Sequence, residues 1–189
     1  MKRKLILIAL IFITLTATIT YAVSMTYTTT TLWFNVLVGR NVQVQTLSGS
    51  WITGTSGGAA TTNNIEFNVT GSSQWLNATI LGTGGGYFQN ASNPILMIQN
   101  IGTVNAIVNI SINETMTTLG SPTGCLDLRY ENQTYNINPT QPLNQSNLTL
   151  TQALTPQSPP LQVWLFANFS SCNIGGWSRI FRVFADYAS

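Results

Sequence analysis

Nine asparagines in this chain head Asn-x-Ser/Thr triplets: Asn68, Asn77, Asn90, Asn109, Asn113, Asn132, Asn144, Asn147 and Asn168. The side-chain amide of such a residue accepts N-linked glycans unless proline follows it, which removes Asn138. The chain is rich in the residues that make the triplet, with 19 Asn and 42 Ser plus Thr in 189 residues. Simple frequency gives roughly four triplets, so nine is about double the chance number. Asn109 alternates with apolar neighbours, so the pattern turns it outward, as an acceptor needs. The expectation is a densely N-glycosylated surface protein, whose glycans keep a weakly charged chain in solution.

Other chemistry is thinly supplied. There is no His for a catalytic triad, and no Lys after residue 4. Asp127 and Glu131 sit at even spacing in one expected strand and so share a face. Two carboxyls about 5 to 10 Å apart can hydrolyse a glycosidic bond, but acids in β domains more often belong to loops and edges. The triple glycine at 84–86 is followed by neither a helix nor a Lys, so it does not read as a phosphate loop. Trp33, Trp51, Trp75, Trp164 and Trp177 could line a sugar-binding face, although tryptophans more often fill cores or interfaces. Cys125 and Cys172, in an exported chain, read most simply as one disulfide. The alternative is two buried thiols, and no Cys/His spacing suggests a metal. No enzyme activity, cofactor, small-molecule substrate or nucleic-acid partner is expected.

The elements that carry these residues begin after an export signal. Lys2, Arg3 and Lys4 precede an apolar run to about Ile19, and cleavage is expected near residues 22–24, leaving 1–22 as a signal peptide. A retained membrane anchor is the rival reading, because Leu5 to Val23 is long enough to span a bilayer. A pilin-type leader is a third, against which stands the lack of Gly or Ala just before the apolar run. After Ala22 the charges are Arg40, Arg129, Arg179 and Arg182 against Glu66, Glu114, Asp127, Glu131 and Asp186, so 4 − 5 = −1. A basic nucleic-acid footprint is absent. With five carboxyls and no His, folding should couple weakly to protons between pH 2 and 7.

The first stretch after the signal is four Thr followed by Leu32, Trp33, Phe34, Val36 and Val38, β-branched and aromatic residues that favour a strand. An apolar strand at a chain terminus needs a sheet to join, its own or a neighbour's. Beyond it, short runs of period-two alternation are cut by Gly, Asn, Ser and Pro, as in an all-β sandwich or barrel. The segments PILMIQN (94–100) and VNAIVNISI (104–112) flank Ile101-Gly102-Thr103, and the spacing predicts a hairpin there. In its second arm Val104, Ala106, Val108, Ile110 and Ile112 face inward, with Asn105, Asn109 and Ser111 in water. LQVWLFANF (161–169) is apolar on both faces, and SRIFRVFADY (178–187) alternates to the end. Nine or ten strands and no helix are expected, arranged as a two-sheet sandwich of jelly-roll type.

The export signal, the apolar first strand, the segment PILMIQNIGTVNAIVNISIN and the aromatic last strand SRIFRVFADY together resemble the archaeal thread and bundling-pilus subunits. These are similar in turn to bacterial biofilm fibre proteins of the TasA/camelysin type. The most similar piece is Ile98 to Ile112. The resemblance implies a jelly-roll-like sandwich at 38–189 preceded by an N-terminal donor strand at 23–37. The donor residues would be Met25, Tyr27, Thr29, Thr31, Leu32, Trp33, Phe34 and Val36. It also implies identical subunits polymerising head-to-tail, each strand completing the next subunit's sheet, in a secreted cell-surface filament for adhesion or biofilm. The alternative is a monomeric or S-layer-associated β-sandwich glycoprotein with a carbohydrate-binding face. The two separate on whether residues 24–36 pair within the chain or between chains.

Overall fold

In the computed structural model, the structure describes residues 30–47, 49, 51–60, 65–69, 75–80, 89–113, 125–146, 148–170 and 175–187. The segment 1–22 read as a signal lies outside them, as do Met25, Tyr27, Thr29, Asn147 and Cys172.

The described residues hold strands and no helix. In chain order the strands are β1 (Thr30–Val38), β2 (Val42–Thr46), β3 (Ile52–Thr53), β4 (Ala59–Ala60), β5 (Ile65–Val69), β6 (Trp75–Asn77) and β7 (Thr79–Ile80). They continue with β8 (Leu96–Asn100), β9 (Ala106–Ile112), β10 (Leu126–Asn132), β11 (Gln141–Pro142), β12 (Leu148–Leu154), β13 (Leu161–Phe169) and β14 (Gly175–Tyr187). One sheet runs β12-β9-β14-β1-β5-β7, with β4 also on β1. The other runs β11-β10-β13-β8-β2-β3, with β6 also on β13. The protein is therefore all-β with two sheets, consistent with a β-sandwich.

Alternation explains which faces meet. Leu32, Phe34, Val36 and Val38 of β1 are all fully buried, as are Val42 and Val44 of β2 and Ile98 of β8. These side chains form one continuous core with Val163 and Leu165 of β13 and Phe181 and Val183 of β14. Residues of both sheets thus share one apolar interior, as a half-buried strand of period two requires. β13 is apolar on both faces for a local reason. Its Trp164 and Phe166 turn away from that core and are covered by Tyr135, at ring-centroid distances of 6.2 and 5.8 Å.

The hairpin expected across Ile101-Gly102-Thr103 does not form. β8 pairs with β2 and β13 in one sheet, whereas β9 pairs with β14 and β12 in the other. The chain instead crosses between sheets at this turn. Asn100, only 1% exposed, governs the crossing. Its Oδ1 accepts from Gly102 N at 2.8 Å, and its Nδ2 donates to Val104 O at 2.8 Å and Leu154 O at 2.7 Å. The Asn-x-Gly chemistry is that of a tight bend: two of these bonds close the bend itself and the third ties it to the end of β12. The outward face of β9 is also drier than alternation implies. Asn109 and Ser111 are buried, at 7% and 2% exposure, beside Phe184 and Arg182 of β14 in the register.

Candidate functional site

The first described strand carries most of the residues expected to pair between chains. β1 lies in the middle of its sheet, parallel to β14 from Thr30↔Gly175 to Val38↔Val183. On its other side it runs antiparallel to β5 over Thr30–Phe34 and to β4 at Leu37 and Val38. The β1–β14 pair is the sole parallel one among the described strands. Phe34 is the anchor. Its ring stands edge-on to Phe67 of β5 and Phe181 of β14, each at 6.3 Å with interplanar angles of 88° and 80°. Such edge-to-face pairs add to the energy of burial itself. Gly39 N then donates to Val183 O at 2.7 Å, and the chain leaves for the opposite sheet through Arg40 and Asn41.

Of the residues expected to donate between chains, Thr31, Leu32, Trp33, Phe34 and Val36 lie in β1, and the structure pairs their backbone within their own chain. Within this single chain β1 is therefore a central strand of its sheet.

The structure sorts the expected glycan acceptors by access. Asn144 is exposed, and its Oδ1 accepts from Ser146 N at 2.8 Å. Asn90 is half-buried and its Oδ1 accepts from Ser92 N at 2.9 Å. In both, the carbonyl end is tied to the hydroxyl residue of its own triplet. Asn113 accepts from Ile180 N through Oδ1. Asn77 accepts from Gln89 Nε2 and the Tyr135 hydroxyl. Asn132 spends its amide on Leu150 O. Asn109, expected to face water, is buried: its Nδ2 donates to Asp186 and its Oδ1 accepts from the Thr149 hydroxyl. The nucleophilic amide is therefore already engaged in the fold. Asn168 is half-buried with Oδ1 unpaired, and the side chain of Asn68 lies outside the described residues.

Asp127 and Glu131 do share the outer face of β10, with Arg129 between them. Arg129 binds Asp127 Oδ2 through Nη2 at 2.9 Å and Pro139 O through Nη1. Its guanidinium also lies 4.9 Å from the Trp75 ring centroid. Glu131 accepts from the amide and hydroxyl of Thr140. Both carboxylates thus brace the 133–140 loop. Beside them the Tyr130 hydroxyl is pushed above its ordinary value of 10.0 by burial and then by the Glu131 charge. Among the described residues no group of three His, Cys, Asp or Glu could hold a metal.

Among the described residues the register sets Trp75 and Trp164 on the same outer side of the β6–β13 pair, but not as an exposed aromatic platform. Trp164 is 1% exposed and donates Nε1 to Asn90 O, Trp75 is half-covered by Arg129, and Trp51 is half-buried. The side chains of Trp33 and Trp177 lie outside the described residues. Cys125 is buried and disulfide-bonded, and the chain has one other cysteine, Cys172. One structural residue carried no signal in the sequence. Gln89, fully buried, pairs with the backbone of Leu165 as a strand would: its Nε2 donates to Leu165 O and its Oε1 accepts from Leu165 N.

Compared with protein-family models, curated proteins and solved structures, the chain matches none of them.

Proposed function

We propose that the chain is the structural subunit of a secreted extracellular filament serving adhesion or biofilm, in which β1 passes from each copy into the sheet of the next. The observation that carries this reading is the seat of β1. It is central, apolar on its inner face, parallel to the last strand, and joined to the rest through the three residues 39–41. Moving such a strand to an identical neighbour replaces every contact by its equivalent, which is β-augmentation between copies. A head-to-tail contact of this kind propagates into an open fibre. The strands also alternate between sheets from β8 to β10 and from β12 to β14, which supports a jelly-roll path. On this reading residues 1–22 are a signal peptide, and accessible acceptors such as Asn144 and Asn90 carry N-glycans.

A second reading has its own support. The register of β1 within one chain favours a self-contained surface glycoprotein, monomeric or associated with a surface layer. One experiment separates them. Asn35 and Ile180 are register partners on the outer face, and neighbouring strands lie about 5 Å apart, within the range that a disulfide spans. The double variant Asn35→Cys, Ile180→Cys, recovered from the cell surface, is run on a non-reducing denaturing gel. A covalent ladder is the expected result, and a monomer carrying only an internal link would establish the second reading.

A further inference from the structure

A cavity of about 190 Å³ opens where β1 ends, lined by Arg40, Arg182, the turn Thr55–Gly58 and the apolar side chains of Leu37 and Phe184. Three features set it apart from a surface dent.

The first is charge. After Ala22 the chain has four cations. Arg129 is paired with Asp127, and Arg179 donates to Ser178 O. The other two, Arg40 and Arg182, line this cavity, and neither guanidinium has an ion-pair or hydrogen-bond partner among the described residues. No described acid lines it. Asp186, the nearest acid along β14, is engaged by Asn109.

The second is the turn. Gly58 N donates to Thr55 O at 3.0 Å and the Thr55 hydroxyl donates to Gly58 O at 2.8 Å, which closes the turn on itself. Among the described residues the Ser56 hydroxyl and the amides of Ser56 and Gly57 make no hydrogen bond. They are exposed donors beside two cations.

The third is that the wall is built by close backbone packing. A Cβ on Gly54 would lie 1.5 Å from Gly39 O, so the strand leading into the turn passes directly against the connection that carries Arg40. Gly54 N donates to Val42 O at 2.9 Å and holds it there. Gly58 has a positive φ of 81° that places the turn over Leu37.

We infer that this cavity binds an oxyanion of the sulfate or phosphate-monoester class, held between the Arg40 and Arg182 guanidiniums and the Ser56–Gly57 amides. A guanidinium presents a rigid fork of donors matched to such oxygens, and two forks with turn amides outnumber what one carboxylate can accept. The cavity is smaller than the roughly 300 Å³ at which drug-sized pockets begin, so it takes one charged group with at most a single ring. Leu37 and Phe184 give that ring an apolar floor, and the open side leaves room for a longer saccharide to continue into solvent. Because Arg40 follows β1 and Arg182 lies on β14, the site is whole only when a first strand is docked beside β14. Anion binding therefore stabilises the docked strand, whichever copy supplies it.

The test uses the full mature chain in equilibrium dialysis at constant ionic strength, with labelled inorganic phosphate, labelled sulfate and a monosaccharide 6-sulfate as competitor. One saturable site is expected, and charge-assisted hydrogen bonds of this kind make Arg40→Gln and Arg182→Gln each weaken it by about tenfold or more. Arg129→Gln, which removes the same charge elsewhere, should leave it within about twofold. The thermal midpoint should rise with phosphate in the parent and stay flat in the double Arg40→Gln, Arg182→Gln variant, whose cooperative melting without phosphate also shows that it folds. If the sulfated sugar displaces sulfate more strongly than sulfate displaces itself, the oxyanion is borne on a saccharide; equal competition assigns the site to the free ion. Binding unchanged in the double variant means an adventitious ion only, and no saturable binding to the parent removes the site altogether.

Discussion

Replacing Phe34 by Ala is the most direct probe of how β1 is held. Phe34 has no solvent exposure and meets Phe67 and Phe181 edge-on at 6.3 Å. Removing a fully buried Phe ring costs about 3–5 kcal/mol, the lost transfer energy plus the cavity left behind. The surrounding strands are paired on both sides, so collapse into the gap is restricted and the upper half of that range applies. Native domains are stable by about 5–15 kcal/mol, so one substitution removes a large share of the total. For a chain of this size each kcal/mol moves the thermal midpoint by about 2–4 °C, so a cost of about 4–5 kcal/mol gives a fall of about 8–20 °C. The assay is calorimetric or fluorescence-monitored melting of the chain with its disulfide intact. Asn35→Ala is the control. It sits next in the same strand, exposed, and should change stability by no more than about 0.5 kcal/mol. A Phe34→Ala midpoint within about 3 °C of the parent would refute the reasoning, since a strand whose anchor can be removed freely is not seated in the core.

Two further outcomes follow from single buried groups. Asn100→Ala removes the bonds to Gly102 N, Val104 O and Leu154 O in a site 1% exposed, and should cost about 2–4 kcal/mol by urea denaturation; a loss below about 0.5 kcal/mol would mean that water replaces the side chain at the sheet crossing. Tyr130 binds its proton more tightly folded than unfolded, so its share of stability is present below the unfolded value of 10.0 and is lost as pH rises through the raised folded value. Tyr130→Phe should therefore flatten the decline of the urea midpoint as pH rises above 10.0, and an unchanged slope would locate that decline in other groups.

Local patterning carried much of the fold. The alternation in β1, β2 and β14 put Phe34, Val44 and Phe181 on the inside, and the two-faced apolar run of β13 marked a strand covered on both sides. What alternation cannot encode is the partner. The bend at Asn100 was legible as a bend, because Asn-x-Gly chemistry is local. Whether the chain then returns beside β8 or crosses to the other sheet depends on Leu154 O, which is distant in sequence. The same limit governs the acceptors. Asn109 sits on the outward phase of β9, yet Thr149 and Asp186 from two neighbouring strands close over it. The Arg40–Arg182 cavity had no sequence signal, since a lone Arg beside a turn and a lone Arg in a strand become a pair only through the parallel register of β1 with β14.

The choice between one chain and many turns on the connection at residues 39–41. A sandwich without β1 would expose β14 and β5 as two unpaired edges over an open core, which makes an aggregation-prone species. Some copy of β1 must therefore be docked. Its ladder and apolar contacts are the same from either source, so they cancel in the comparison. What differs is local. Holding β1 in its own chain requires Asn41 to adopt a positive φ of 68°, a left-handed conformation that costs little for Asn. It also keeps Arg40 beside Arg182 with no described acid between them. An opened connection relieves the first in both partners. The second returns when the neighbour's β1 docks, unless an oxyanion neutralises the pair. If β1 is exchanged between copies, its hinge at residues 39–41 carries Arg40, one arm of the proposed anion site, and the crosslinking test repeated with and without phosphate reads their coupling directly.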